Sequence, residues 1–203
     1  MSKTENARRP RADAARNREK LLDAASAVVA ETGELSLAAV AARAGVGIGT
    51  LYRHFPNRDA LLAALYRNEV DRLHHAAVRL AKELPPFEAL EKWLGGYATL
   101  MQMKYGMADA MRSAINSDAE IFTHSRVRLI GALSSLLKAA AAAGSIRGDA
   151  DPDDVLLAVS ASVSASRGRD DAVRKTERLL ALVIDGLRYG AGKGIRADVA
   201  VPG

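Results

Sequence analysis

Thr50, Tyr52, Arg53 and His54 crowd into the run Ile48–Phe55, and Arg58 follows just after it. Hydroxyl, imidazole and guanidinium groups donate hydrogen bonds to phosphate oxygens and to base edges. A short segment whose only task was to pack would not carry this set. Their types point to reading DNA rather than to catalysis. The chain has no cysteine, so thiol chemistry and disulfides are excluded. No glycine loop cradles a phosphate ahead of a lysine, and no nucleophile elbow is present. His74 and His75 are adjacent on one helix and point in different directions, so they do not chelate together, and Asp71 nearby offers only a weak metal reading. No catalytic residue, metal or cofactor is therefore expected.

The elements that must position these groups are legible around them. Ser36 has a hydroxyl that can cap a helix start, and the Ala-rich run Leu37 to Arg43 is strongly helix-forming. Ala44-Gly45 ends it, because glycine supplies the positive φ of a helix stop. After the Val46-Gly47 turn a second short helix runs from Ile48 to Phe55 and closes at Pro56. Two short helices joined by a tight glycine turn are a helix-turn-helix. Leu51 and Phe55 lie on its opposite face and are expected in the core. Ahead of the pair, Leu21, Leu22, Ala25, Val28 and Val29 have the spacing of an amphipathic helix from Arg16 to Thr32, stopped at Gly33.

The remainder reads as further helices. Asn57 offers a cap, and a long helix from Arg58 carries Leu61, Leu62, Leu65, Leu73, Ala76, Ala77 and Leu80 before Pro85-Pro86 breaks it. Phe87, Leu90, Leu94, Tyr97 and Met101 form the next stripe, with Gly95-Gly96 as a weak point and Gly106 as its end. A short piece, Met107 to Ile115, leads to the capping box Ser117–Glu120 and a helix to Gly144. Asp151-Pro152 heads a helix to about Ser166, and the last runs from Asp171 to Tyr189. The expectation is an all-α protein of about nine helices.

Composition agrees. At 203 residues with 49% apolar residues, the chain can bury a proper core. Its mean hydropathy is −0.05, no stretch is long and apolar enough to cross a membrane, and the polar, basic start does not read as a secretory signal. A cytoplasmic location is expected. Residues 1–20 carry seven Lys/Arg against three acids, so most of the net charge of +5 lies just ahead of the helix-turn-helix. Such an arm suits a polyanion through counterion release, and it equally suits a solubilising tail.

The run GVGIGTLYRHFPNRDALL resembles the helix-turn-helix signature of TetR-family transcriptional repressors, with Arg58 where the family usually has Lys. The resemblance covers residues 16 to about 65. It implies a homodimer on palindromic double-stranded DNA, released when a small molecule binds a larger helical domain. With the residue pattern, four stretches are expected: a disordered basic arm over 1–15, a DNA-binding domain over 16–60, a ligand-binding and dimerisation domain over 61–190, and a flexible tail over 191–203. Carried over by position, Thr50 and Tyr52 contact bases or phosphates and His54 a phosphate, with Ile48 and Gly49 pointing at the groove. Arg53 reaches a phosphate or a guanine, and Arg58 a phosphate. Ser36 is a plain cap, a phosphate contact or both.

For the ligand, Met101, Met107 and Met111 cluster with Trp93 and Tyr97, an adaptable lining for a partly apolar molecule or an ordinary core. Phe122 and Arg126 complete the candidate set, Arg126 as the partner of an acidic group. The run VLLAVSASVSAS is nearly free of charge and pairs with the last helix. Leu156, Val159, Ser160, Val163, Leu180, Val183 and Leu187 are the expected dimer contacts in a four-helix interface, unless that helix is internal. Two other functions compete: a helical small-molecule-binding protein or enzyme with a vestigial helix-turn-helix, and a nucleoid-type protein binding DNA without sequence choice.

Overall fold

The computed structural model describes residues 3–107 and 119–189. They form eight helices: α1 (Lys3–Thr32), α2 (Leu37–Ala44), α3 (Ile48–His54), α4 (Arg58–Glu83), α5 (Pro86–Gly106), α6 (Ala119–Ala142), α7 (Pro152–Ser166) and α8 (Ala172–Tyr189). No strand occurs among the described residues, so the fold is all-α as expected. The additional short helix expected after Met107, the Ser117 end of the capping box and the tail lie outside the described residues.

Local chemistry sets the boundaries. The Ser36 hydroxyl accepts the Ala39 N–H at 3.3 Å and caps α2. At the other end Gly45 has φ of +68°. Its N–H donates to the Ala42 carbonyl, and the Val46 N–H to that of Ala41. This is a Schellman stop, which only a residue at ease with positive φ makes without strain. Asn57 Oδ1 accepts the Ala60 N–H at 2.8 Å at the head of α4. Asp151 Oδ1 accepts the N–H groups of Asp153 and Asp154, with Pro152 in the first turn of α7.

One expectation differs from the structure. Residues 3–15 are helical instead of disordered, continuing α1 towards the start. Ala, Arg, Glu and Lys favour helix, and extending an existing helix needs no new nucleus. Gly95-Gly96 does not interrupt α5. A Cβ on Gly96 would stand 3.0 Å from Leu73 Cδ1, so the missing side chain admits a close approach of α4.

The chain gathers into two compact units, one of residues up to Arg72 with Leu100–Val127, the other of Leu73–Thr99 with residues from Arg128 onward. The division thus falls inside α4 at Arg72/Leu73, later than the expected 60/61, and residues 100–127 belong to the first unit. The buried residues explain it. Leu61, Leu62, Leu65, Tyr66 and Val70 of α4 join the core of the first unit, with Leu21, Leu22, Val28, Val40 and Leu51. Leu73, Ala77 and Leu80 are buried in the second, with Leu90, Trp93, Leu94, Leu133, Leu136 and Leu156. One long helix supplies an apolar stripe to each.

Gly45→Ala is expected to destabilise the protein by about 1 kcal/mol, because a Cβ in left-handed backbone is strained. Urea unfolding should show a lower midpoint with an unchanged slope; an unchanged midpoint would refute this stop.

Candidate nucleic-acid interface

Helix α3 is seven residues long and turns two of its side chains inward: Leu51 is fully buried and Phe55, just past its end, nearly so. By helical geometry Gly49 and Arg53, about half a turn round from that pair, face out, and Ile48 and Tyr52 lie along the edge between. Ile48 and Tyr52, four apart, are 45% and 48% exposed. Gly49 and Arg53 are exposed beside them, while Thr50 and His54 are half-buried at the flanks. Ile48 and Tyr52 are the large exposed side chains of the helix, beside the cationic Arg53. Two exposed apolar groups on so short a helix are a contact surface in search of a partner.

The electrostatics favour an anion. From Leu35 to Arg58 the chain contains no Asp or Glu, while Arg43, Arg53, His54 and Arg58 fall within it. Arg43 is held by Glu31 at 2.6 Å. Arg53 has no ionic partner among the described residues, so its charge is open to solvent.

Arg58 has a task that its sequence position does not reveal. Its Nε–H donates to the Leu35 carbonyl at 3.1 Å, tying the head of α4 to the loop before α2. A cation at a helix N-terminus is repelled by the helix dipole, and this bond offsets that cost. Arg58 as a residue remains exposed. Arg18 of α1, which sequence spacing did not single out, lies 5.2 Å over the Phe55 ring and clamps the end of α3 from the other side. Only the excess of arginine in residues 1–20 hinted at it.

The remaining predicted residues separate. Trp93 and Tyr97 come together in the second unit, with parallel rings 5.9 Å apart. Trp93 is fully buried and its Nε1–H donates to the Leu73 carbonyl at 2.9 Å. Tyr97 Oη and Ser160 Oγ share a hydrogen bond of 2.8 Å. Met101 and Met107 are buried in the first unit, and Arg126 of that unit is exposed. In the first unit too, burial pushes the Lys104 amine below its ordinary range, and the charge of Arg126 adds to this; Lys104 sits 6.0 Å over the Tyr66 ring. Met111 and the side chain of Phe122 lie outside the described residues.

Of the seven expected dimer contacts, four are buried within the chain and three keep part of their surface. Leu156, Val159, Val163 and Leu187 are buried within the chain itself and have no surface to offer, and Ser160, Leu180 and Val183 are half-buried. The outward residues are their neighbours. Leu157, Leu182, Val173 and Tyr189 are each more than 60% exposed.

A short helix seated by two apolar residues, with a polar and cationic outer face and a capped partner helix before it, defines a helix-turn-helix protein. Comparison with known proteins gives the family. Residues 21–65 match the model described as "Bacterial regulatory proteins, tetR family". Residues 85–189 match that of "Transcriptional regulator SbtR-like, C-terminal domain". The HTH-type transcriptional repressor KstR of Mycobacterium tuberculosis is 34% identical over 106 residues, 50% of this chain and 48% of that one. The chain thus spans about half the length of that relative. The solved TetR transcriptional regulator SCO0520 of Streptomyces coelicolor is 45% identical, with a TM-score of 0.75 over 84% of this chain and 98% of that one. The TetR transcription regulatory protein of Mycobacterium vanbaalenii is 31% identical, with a TM-score of 0.65 over 88% and 98%. The chain belongs to the TetR family.

Arg58→Lys keeps the charge but removes the Nε–H that meets Leu35. It is expected to lower stability by about 1 kcal/mol, the worth of a typical hydrogen bond. Urea denaturation checks it, and a Lys variant as stable as the parent would show that the bond contributes nothing.

Proposed function

We propose that this protein is a homodimeric, DNA-binding transcriptional repressor that leaves a palindromic operator when a small molecule binds. The observation that carries the reading is the outer face of α3: Ile48, Tyr52 and Arg53 exposed together within a stretch free of carboxylates. In the major groove Ile48 makes apolar contact, for instance with a thymine methyl, and Gly49 lets the backbone come close. Tyr52, Thr50 and His54 bond phosphate or base edges, and Arg53 and Arg58 neutralise phosphates. Ser36 caps α2 and keeps its own O–H free to donate. Two subunits place their α3 helices about one helical turn of DNA apart, or a multiple of it. No catalytic step is assigned, and such a regulator works in the cytoplasm, where its operator is.

What supports the dimer is the apolar outer face of α7 and α8. Leu157 with Ala161 and Ala165 on one, and Ala181, Leu182 and Gly186 on the other, are exposed in a single chain. Small residues between the leucines let facing helices approach closely, the arrangement of a four-helix interface. For the ligand, the buried Met101 and Met107 offer an adaptable apolar lining.

Gel-shift titration against the DNA upstream of the protein's own reading frame tests the assignment. Tyr52→Ala should weaken binding about tenfold. Arg53→Ala removes one phosphate contact per subunit, so the slope of log affinity against log salt should shrink by about 1.8 for a dimer. Variants that bind as tightly as the parent, with the same salt slope, would rule out α3 as the reading element. Leu182→Glu, exposed and so harmless to the fold, should convert dimer to monomer in light scattering; an unchanged mass would place the interface elsewhere.

A further inference from the structure

We infer that Arg18 of α1 is a DNA contact: its guanidinium bonds a backbone phosphate beside the end of the reading helix. This rests on the reading of the protein as a DNA-binding regulator. Arg18, Arg53, Phe55 and Arg58 all belong to the first unit.

Arg18 stands where the apolar stripe of α1 runs out. Leu21 and Leu22, three and four residues on, are buried, and continuing the stripe would put another apolar side chain at 18. The chain has an exposed arginine there instead. Its guanidinium carbon lies 5.2 Å over the ring of Phe55, a buried residue directly after the last turn of α3. A leucine would cover that ring as well, so shielding Phe55 does not require a charge.

What arginine adds is a rigid fork of N–H donors. A guanidinium held over an aromatic ring keeps donors at the edge of its plane, in the geometry that meets two phosphate oxygens at once. No carboxylate or carbonyl among the described residues takes up those of Arg18. Its helical neighbours three and four residues away are Ala14, Ala15, Leu21 and Leu22, none of them acidic. Asp13 is engaged by Arg16, and the adjacent Glu19 is turned about 100° round the helix.

The place is one that a phosphate reaches. A helix-turn-helix puts the N-terminal residues of its reading helix among the bases, so the other end stands out towards the phosphates. Helix α3 has seven residues, about 10 Å, close to the dimensions of the major groove. A group over Phe55, one residue past that end, is therefore beside the strand that borders the groove. Arg53 in the last turn of α3 and Arg58 just after it are exposed at the same end. Arg18 adds a third cation, from a helix outside the helix-turn-helix pair.

The experiment measures binding of the full-length protein, over a range of salt, to a duplex carrying the site it protects in footprinting and to a scrambled duplex of equal length. Arg18→Gln keeps a long side chain near Phe55 and removes the charge. It should weaken binding to both duplexes by a similar factor, roughly tenfold, because a phosphate contact carries no sequence information. The slope of log affinity against log salt should fall by about 1.8 for a dimer. Arg18→Leu, which covers the ring, should do the same and keeps the proposal testable if Arg18→Gln fails to fold. Arg16→Gln, about 200° round the same helix, should leave the slope unchanged. An unchanged slope in the Arg18 variants, while Arg53→Ala lowers it, would overturn the phosphate contact and leave the reading helix standing. An equal fall in Arg16→Gln, the mark of diffuse charge, would overturn it too. So would a loss confined to the protected site, the mark of a purely structural hold on α3. A parent without salt-sensitive affinity for either duplex would overturn the DNA-binding reading itself, and this inference with it.

Discussion

The burial of Leu51 and Phe55 is the constraint from which the DNA-facing surface follows. Helix α3 has seven residues, well below the length at which a helix holds together alone in water. It persists because Leu51 is fully buried and Phe55 nearly so, against a first unit built from α1, α2 and the head of α4. Once those two side chains point inward, the helical repeat aims Gly49 and Arg53 outward, with Ile48 and Tyr52 exposed along the edge. Arg18 over the Phe55 ring and Arg58 on the Leu35 carbonyl hold the ends of this arrangement. The same arginines that make the region cationic also keep it in shape.

Helix α4 carries a comparable double duty. Its first half buries Leu61, Leu62 and Leu65 in one unit, and its second half buries Leu73, Ala77 and Leu80 in the other. A helix of 26 residues has enough turns for both stripes. At Leu73 it meets the indole of Trp93 and the open side of Gly96. A tryptophan can be this deeply buried only if its N–H finds an acceptor, and a helix carbonyl with a spare lone pair is one.

Features that depend on residues three or four apart were legible in the sequence. Ser36, Asn57 and Asp151 act as caps within a single turn, and Gly45 ends α2 through its own φ. The reading helix itself, with Leu51 and Phe55 inside, also followed from spacing. What could not be read were contacts between distant positions. Arg58 and Leu35 are 23 residues apart, and Tyr97 and Ser160 are 63 apart. The types of Trp93 and Tyr97 suit the wall of a ligand site, but that their polar atoms meet Leu73 and Ser160 was not legible. The start of α1 escaped as well, because the charge of residues 3–15 suggested a solvated tail.

The sequence alone determined that the chain is helical, where most helices begin and end, and that a helix-turn-helix lies near its start. These are properties of composition, caps and period, all local. Tertiary structure decided which side of each helix faces inward. Leu156 is 1% exposed and Leu157 61%, though the two are adjacent and identical in chemistry. One residue of rotation, about 100° around a helix, separates core from surface. A run as uniformly small and apolar as α7 has no period strong enough to choose between them. The choice is made by packing against α8 and by contacts such as that of Ser160 with Tyr97 of α5, and only the folded chain contains that information.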